Sequence, residues 1–197
     1  GYIVDRDTFA SLLPNYAIYG EALYKVPNGP TLKPLKIYSP NYHYDWTGVD
    51  APAHTSLVLE KLGFQIVDTP DEADVIVLEN NRFDASIFGK KPTLVIGGEA
   101  MQKLEKLGVL SGFDAEKLKG GSDYEGLMKA IIDDQDPLTS GYKKNTLFYS
   151  NSGNWIEKVP SNFKTLMSIA SSDYYIAGWR PKNEVLANKV MAISGEL

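Results

Sequence analysis

A glycine pair stands where a β-type run meets an amphipathic helix, in the segment PTLVIGGEAMQKL, residues 92–104. In α/β hydrolases, a strand, a sharp turn and a helix expose a nucleophile at the turn. Here the turn holds Gly97, Gly98 and Glu99 instead of serine or cysteine. Glycines permit positive φ and close approach of a ligand, and helix N-termini attract anions. The turn is therefore either an anion or oxyanion site near Glu99, or a tight turn in which Glu99 only stabilises the helix.

An aromatic and polar loop, NYHYDWTG, follows the first predicted strand of the core. His43 and Asp45 are two positions apart, so an extended backbone can direct both side chains the same way. An imidazole beside a carboxylate suits general base catalysis or metal binding. The loop also carries aromatic side chains that suit a sugar or peptide ligand, namely Tyr42, Tyr44 and Trp46. Alternatively, these aromatic residues cover the end of the sheet and His43 hydrogen-bonds locally.

Two later polar loops, NSGNW and AGWRPKN, each contain a tryptophan. Trp155 and Trp179, together with Trp46, offer stacking surfaces for a sugar or another small molecule. Arg180 could bind a carboxylate through two hydrogen bonds. A surface ion pair is the alternative role for Arg180.

The composition excludes several classes of function. The 197 residues contain no cysteine, which rules out a disulfide framework, thiolate metal ligands and a cysteine nucleophile. The two histidines, His43 and His54, lack the spacing of zinc ligands, so we predict neither a metal site nor a cofactor. A net charge of -5 without a long basic run argues against nucleic acid binding, and no apolar stretch is long enough to predict a membrane span.

Strand-like and helix-like segments alternate through the middle of the chain, which predicts a parallel sheet with helical crossovers. The predicted strands are LKIYSP, QIVD, the apolar run 75–78 and KPTLVI, and the predicted helices are APAHTSLVLEKLGF and EAMQKLEKLGVL. Later segments predict a helix at DYEGLMKAIID, strands at NTLFYS, DYYIAGW and KVMAIS, and a further apolar segment at FKTLMSIAS. Ligands of open parallel sheets bind beyond the carboxyl ends of the strands, where the strand order reverses. Five loops are expected at that edge: 39–48, 79–84, 97–101, 151–154 and 178–183.

These segments together resemble the class I glutamine amidotransferase-like domain over residues 30–196. The resemblance is carried by LKPLKIYSPNYHYDWTGVD, EADVIVLEN, KPTLVIGGEAMQKLEKLGVL and YYIAGWRPKNEVLANKVMAISGE. Within that class, the chain is similar to the domain appended to secreted zinc carboxypeptidase-like metallopeptidases. The resemblance implies an α/β, flavodoxin-like, three-layer sandwich with a doubly wound, mostly parallel sheet over 36–197, after an N-terminal extension and Pro-rich linker over 1–35. It also implies an extracellular or cell-surface location and a neighbouring catalytic domain as partner.

The chain departs from this family at the residues that carry its chemistry. Active members have a cysteine at the strand-to-helix turn and a histidine and a glutamate late in the chain, whereas here no histidine follows His54. We therefore expect a noncatalytic accessory domain rather than a glutaminase. It would bind a ligand or a partner domain at the carboxyl edge of the sheet, through Tyr42, Trp46, Gly97, Gly98, Trp179 and Arg180. The alternatives are a hydrolase centred on Glu99 with His43 and Asp45, and a sugar- or peptide-binding module.

Overall fold

The computed structural model describes residues 34–40, 54–117, 125–150, 154–179 and 183–197. Several predicted site residues lie outside the described residues: Tyr42, His43, Tyr44, Asp45, Trp46 and Arg180. So does the segment 1–33, which holds most of the predicted N-terminal extension. Trp179 is described only through its backbone, as the last residue of a strand.

A four-stranded parallel sheet forms the first half of the described fold. Its strands are β1 (Lys36–Tyr38), β2 (Gln65–Ile66), β3 (Val75–Leu78) and β4 (Thr93–Val95), in the spatial order β2-β1-β3-β4. Helix α1 (His54–Lys61) lies between β1 and β2 along the chain, and helix α2 (Gly98–Lys106) follows β4. Because β1 leads to β2 on one side and β3 leads to β4 on the other, the strand order reverses between β1 and β3.

The apolar sequence of β3 accounts for its burial at the centre of this sheet. Ile76, Val77 and Leu78 are each at most 1% exposed, as expected for a strand that is covered on both faces. Helix α2 places Ala100 and Leu104 in the same core. The strands and helices predicted along this part of the sequence are therefore confirmed.

The second half of the fold is a seven-stranded antiparallel sheet. Its strands are β5 (Ala115–Lys117), β6 (Glu125–Ile132), β7 (Asn145–Ser150), β8 (Asn154–Ile156), β9 (Phe163–Ile169), β10 (Tyr175–Trp179) and β11 (Val190–Gly195). The order is β10-β6-β9-β11-β8-β5, and β7 pairs with β6 along the other edge of that strand. Short 3₁₀ segments occur at Pro70–Glu72, Ala85–Ile87, Pro137–Thr139 and Asn183–Leu186.

Two predictions need correction here. The helix predicted at DYEGLMKAIID is wrong, because Glu125–Ile132 forms strand β6 with alternating buried and less buried residues. The class prediction of an α/β fold is confirmed, but a mostly parallel, doubly wound sheet is not what the described strands form. The parallel part has four strands, and the larger sheet is antiparallel.

The two sheets share an apolar core, and the antiparallel sheet has a second buried cluster of its own: Met128, Ile169, Tyr174 and Leu186. The buried members of the shared core from the first half include Ile76, Leu78 and Leu104, and partly buried residues of the antiparallel strands pack against them: Ile156, Phe163 and Ile193. Phe113 is 1% exposed and meets the Phe163 ring edge to face, with ring centroids 4.9 Å apart. Neither helix in the described ranges has the length and apolar character needed to cross a membrane.

Candidate functional site

The turn between β4 and α2 lies at the carboxyl edge of the parallel sheet, beside the end of β3. The Ile96 N–H donates to the Leu78 carbonyl at 2.7 Å, so the pairing of the two strands continues into the turn. Gly97 has φ 86° and ψ 155°, a conformation that essentially only glycine adopts. A Cβ at Gly97 would lie 3.6 Å from the Glu79 carbonyl oxygen. Backbone conformation therefore restricts position 97 to glycine.

Asn154 restricts the neighbouring position in a different way. A Cβ at Gly98 would lie 2.3 Å from Asn154 Cγ and 2.5 Å from Asn154 Oδ1, closer than real side chains approach each other. Asn154 is the first residue of β8, and β8 belongs to the antiparallel sheet. The fold thus brings Gly98, in the 97–101 turn, next to Asn154, the described residue of the predicted 151–154 loop.

Glu99 occupies the first turn of α2 and is exposed. Within the described ranges, no hydrogen bond or ion pair joins the Glu99 side chain to another residue. The last turn of the same helix carries Lys103 and Lys106. An acidic first turn and a basic last turn complement the helix dipole, an effect typically worth about 0.3–1 kcal/mol per charge. This arrangement favours the interpretation in which Glu99 stabilises the helix end.

Ser39 is a candidate that the sequence argument included only as the first residue of a loop. It follows β1, where the strand order reverses, and it is 4% exposed. In the described structure its Oγ has no hydrogen-bond partner. A buried hydroxyl without a partner is unfavourable, so this atom retains capacity to bind a polar group. A polar residue directly after a strand at the sheet centre was the signal that could have singled it out.

Trp155, adjacent to Asn154 in the chain, takes part in a polar cluster. Its Nε1 donates to Glu157 Oε2 at 2.6 Å, and Lys189 Nζ donates to Glu157 Oε1 and Oε2 at 2.8 and 2.6 Å. The Lys189 ammonium also lies 5.6 Å from the centroid of the Trp155 ring. The Lys189 hydrogen bond, followed by that from Trp155, lowers the pKa of Glu157 below its ordinary value of 4.5. One face of the predicted stacking surface is therefore next to a lysine.

Comparison with solved structures gives amidotransferase-like neighbours. The fold is similar to that of a GMP synthase-type protein from Thermoplasma acidophilum, with a TM-score of 0.47 and 19% identity over 71% of this chain and 75% of that chain. It is also similar to SMU.1228c, with a TM-score of 0.37 and 13% identity over 68% of each chain. Both are class I glutamine amidotransferase-like folds. No protein-family model matches the sequence, and no curated protein matches it significantly.

The described residues contain part of the predicted site. Gly97, Gly98 and Glu99 lie at one edge with Asn154, whereas the aromatic loop and Arg180 lie outside the described ranges. The backbone of Trp179 pairs with Glu125, the first residue of β6. Among the described residues, no three His, Asp or Glu side chains gather into a group that could hold a metal ion.

Proposed function

We propose that this chain is a noncatalytic, amidotransferase-like accessory domain that binds a ligand or a partner domain at the carboxyl edge of its parallel sheet. The observation that supports this most strongly is that neither glycine of the turn accommodates a side chain. Gly97 has a backbone conformation that excludes a side chain, and the space for a side chain at Gly98 is filled by Asn154. Neither position can hold a serine or cysteine without rearrangement of its surroundings.

Nucleophilic hydrolysis by the amidotransferase route requires a side chain at this turn and a base beside it. The sequence has no cysteine, and both of its histidines precede the turn. The helix N-terminus is retained, with its backbone N–H groups and partial positive charge. A strand-to-helix turn that keeps polar backbone groups and carries neither serine nor cysteine is suited to binding rather than to bond cleavage by that route.

The buried Ser39 hydroxyl supports binding at the point where the strand order reverses. Its Oγ is unpartnered in the described structure, and the edge on which it lies also contains Gly97 and the end of β3. A carbonyl, hydroxyl or amide of a bound molecule would satisfy this group. We therefore propose a binding position between the ends of β1 and β3.

The four-stranded sheet is the part that we propose corresponds to the flavodoxin-like core of the family. Its strand order reverses between β1 and β3, as in doubly wound sheets, and the antiparallel sheet is then an addition to that core. By the sequence resemblance, the partner would be the catalytic domain of a secreted zinc carboxypeptidase-like metallopeptidase.

A hydrolysis assay tests the noncatalytic half of the proposal. Ammonia release from glutamine and cleavage of ester and peptide substrates are measured for the wild type and for Glu99→Gln. We expect no turnover above buffer with either protein. Turnover by the wild type that disappears in Glu99→Gln would establish the carboxylate-centred hydrolase instead.

Tryptophan fluorescence tests the binding half against a panel of sugars and peptides, since Trp155 adjoins the edge. The informative variant is Glu99→Lys at the first turn of α2, and the matched control is Lys106→Gln at the last turn of the same helix. A response that only Glu99→Lys weakens supports a ligand at this edge, and a response that neither variant changes contradicts it. If the panel gives no response, hydrogen exchange with the adjoining domain present should protect Ile96 and its neighbours.

A further inference from the structure

The loop that follows β3 is attached to helix α2 by a single lysine. Lys103 Nζ donates to the Asn81 carbonyl at 2.9 Å and also to the Phe83 carbonyl. The same ammonium lies over the Phe83 ring, 4.5 Å from its centroid. Hydrogen bonds from a charged donor are stronger than those between neutral groups, and the face of an aromatic ring attracts a cation. One side chain of α2 therefore binds three groups of the loop.

This loop, residues 79–84, lies at the edge where we propose binding. It leaves the carboxyl end of β3, an inner strand of the parallel sheet. At its start, the Glu79 carbonyl oxygen lies 3.6 Å from the position that a Cβ of Gly97 would take. The loop is therefore a neighbour of the turn that begins α2, and the lysine contact lies further along the same helix.

The other contacts within the loop are local in the chain. The Arg82 N–H donates to Asn80 Oδ1 at 2.7 Å, and the Ser86 N–H donates to Asp84 Oδ1 at 2.9 Å. Because each of these bonds joins residues two positions apart, it shapes the loop without attaching it to α2. Phe83 is 6% exposed and packs in the core that the two sheets share. Its side chain and the lysine contact are thus the attachments that the described residues show between the loop and the helix.

The last turn of α2 provides a comparison for Lys103. Lys103 and Lys106 both lie there, where positive charge favours the helix. Lys106 is exposed, and in the described part of the chain no hydrogen bond or ion pair joins its side chain to another residue. Lys103 is half-buried. The helix dipole accounts for a positive charge at both positions, but it does not account for the two loop carbonyls at Lys103.

We infer that Lys103 is a positioning residue that holds loop 79–84 in place as a preformed wall of the proposed binding edge. The inference rests on the proposed function, because it assigns the loop to that edge. A wall that is ordered before binding reduces the entropy lost on association. Lys103 acts through the loop and need not contact the ligand.

Cleavage by an arginine-specific protease tests whether Lys103 holds the loop. Arg82 lies within the loop, and the other two arginines of the chain, Arg6 and Arg180, would give fragments of different mass. When a loop opens and closes faster than it is cut, the rate of cleavage follows the population of the open loop. Lys103→Met keeps the aliphatic stem and removes the charge. We expect it to be cut after Arg82 roughly tenfold faster than the wild type, since hydrogen bonds to a charged group are lost.

Three control variants show what a faster cut means. Lys106→Met should be cut at the wild-type rate, and Lys103→Arg, which keeps a charged donor, should restore most of the protection. Met128→Ala destabilises the separate buried cluster of the antiparallel sheet and should leave the rate after Arg82 unchanged. Equal rates for Lys103→Met and Lys106→Met overturn the inference. An equal acceleration by Met128→Ala also overturns it, because cleavage would then require unfolding of the whole fold.

A panel sugar or peptide that changes the tryptophan fluorescence of the wild type links the loop to binding. If the loop is a wall of the edge, such a compound binds only while the loop is closed. At about ten times its dissociation constant, it should slow the cut after Arg82 in Lys103→Met roughly tenfold. A bound compound that leaves this rate unchanged overturns the inference and leaves the proposed function standing. If no panel compound responds, the proposed function loses that support, and the cleavage rates of Lys103→Met and Met128→Ala decide the inference.

Discussion

At the start of α2, the Asn154 side chain fills the space that a side chain at position 98 would need. The effect of this contact on stability can be measured. In Gly98→Ala, the new methyl group would start 2.3 Å from Asn154 Cγ, so α2 or β8 must shift. Overpacking of this kind destabilises proteins by about 1–3 kcal/mol. We expect a loss of that order in the free energy of unfolding, measured by urea denaturation.

The matched background for this test is Asn154→Gly, which removes all three Asn154 atoms that approach within 2.7 Å of the new methyl group. There, Gly98→Ala should be neutral or stabilising, because alanine is a better helix former than glycine. The difference between the two backgrounds is the coupling of the pair. An equal loss in both backgrounds would show that Asn154 is not what restricts position 98.

The lowered pKa of Glu157 predicts that the stability of the protein depends on pH. In the folded protein this pKa is lowered by the hydrogen bonds from Lys189 and Trp155. The stabilisation is therefore fully present above the ordinary value of about 4.5 and is lost as the pH falls through the lowered folded value. Glu157→Gln retains an acceptor for Trp155 but not the charge. We expect the stability difference between the wild type and this variant to shrink as the pH falls below about 4.5, whereas a difference that stays constant with pH would contradict this assignment.

The residues of the turn illustrate what a sequence can reveal about a site. The glycine pair and the helix that follows it are adjacent in the chain, so PTLVIGGEAMQKL predicts them together. Asn154 is far from Gly98 along the sequence, and the contact between the two depends on how the antiparallel sheet packs. Whether the Ser39 hydroxyl has a hydrogen-bond partner likewise depends on which residues pack around it. Neither fact follows from local patterns.

At the scale of elements, α2 offers a direct comparison between two leucines. Leu104 is 0% exposed in the shared core, and Leu107, directly after the helix, is 54% exposed. Truncation of a buried leucine typically costs about 2–5 kcal/mol, whereas surface changes stay within about 0.5 kcal/mol. We expect Leu104→Ala to destabilise by the larger amount and Leu107→Ala by the smaller, in parallel urea titrations. Similar losses in both variants would contradict the assigned orientation of α2.

Strands β3 and β6 show why one element was predictable and the other was not. The run Val75–Leu78 is short, mostly β-branched and wholly apolar, which indicates a buried strand. In β6, the inward residues include Gly126 and Ala130, and the outward residues include Leu127 and Ile131. Because apolar residues occupy both faces and several are good helix formers, the two-residue period is hidden. Pairing with β7, β9 and β10 decides the outcome.

At the scale of the whole molecule, the sequence predicts the parallel sheet better than the antiparallel one. The parallel neighbours β1 and β2, and likewise β3 and β4, follow each other along the chain and are joined by segments that contain local helix or turn signals. The antiparallel sheet instead joins β6 to β9 and β10, and β11 to β8, across long stretches of chain. A pattern read along the sequence does not specify such partners. The resemblance to amidotransferases also favoured a mostly parallel sheet, which the described strands do not form.

Phe113 links the two sheets, and its truncation tests whether they unfold together. It is 1% exposed, belongs to the core of the parallel sheet, and contacts Phe163 of β9. Phe113→Ala should cost about 3–5 kcal/mol. The Ile76 N–H donates to the Pro92 carbonyl and reports on the parallel sheet. The Lys129 N–H donates to the Tyr174 carbonyl and reports on the antiparallel sheet.

Native-state hydrogen exchange of these two amides is the measurement. Because Phe113 packs between the two sheets, we expect Phe113→Ala to lower the opening free energies of both Ile76 and Lys129 if the sheets open together. Leu138→Ala, at a residue that is 71% exposed, should change neither. If Phe113→Ala lowers protection at Ile76 alone, the antiparallel sheet opens independently of the parallel one. The edge that holds Gly98 and Asn154 would then join two separately stable parts, and a ligand or partner bound there would couple them.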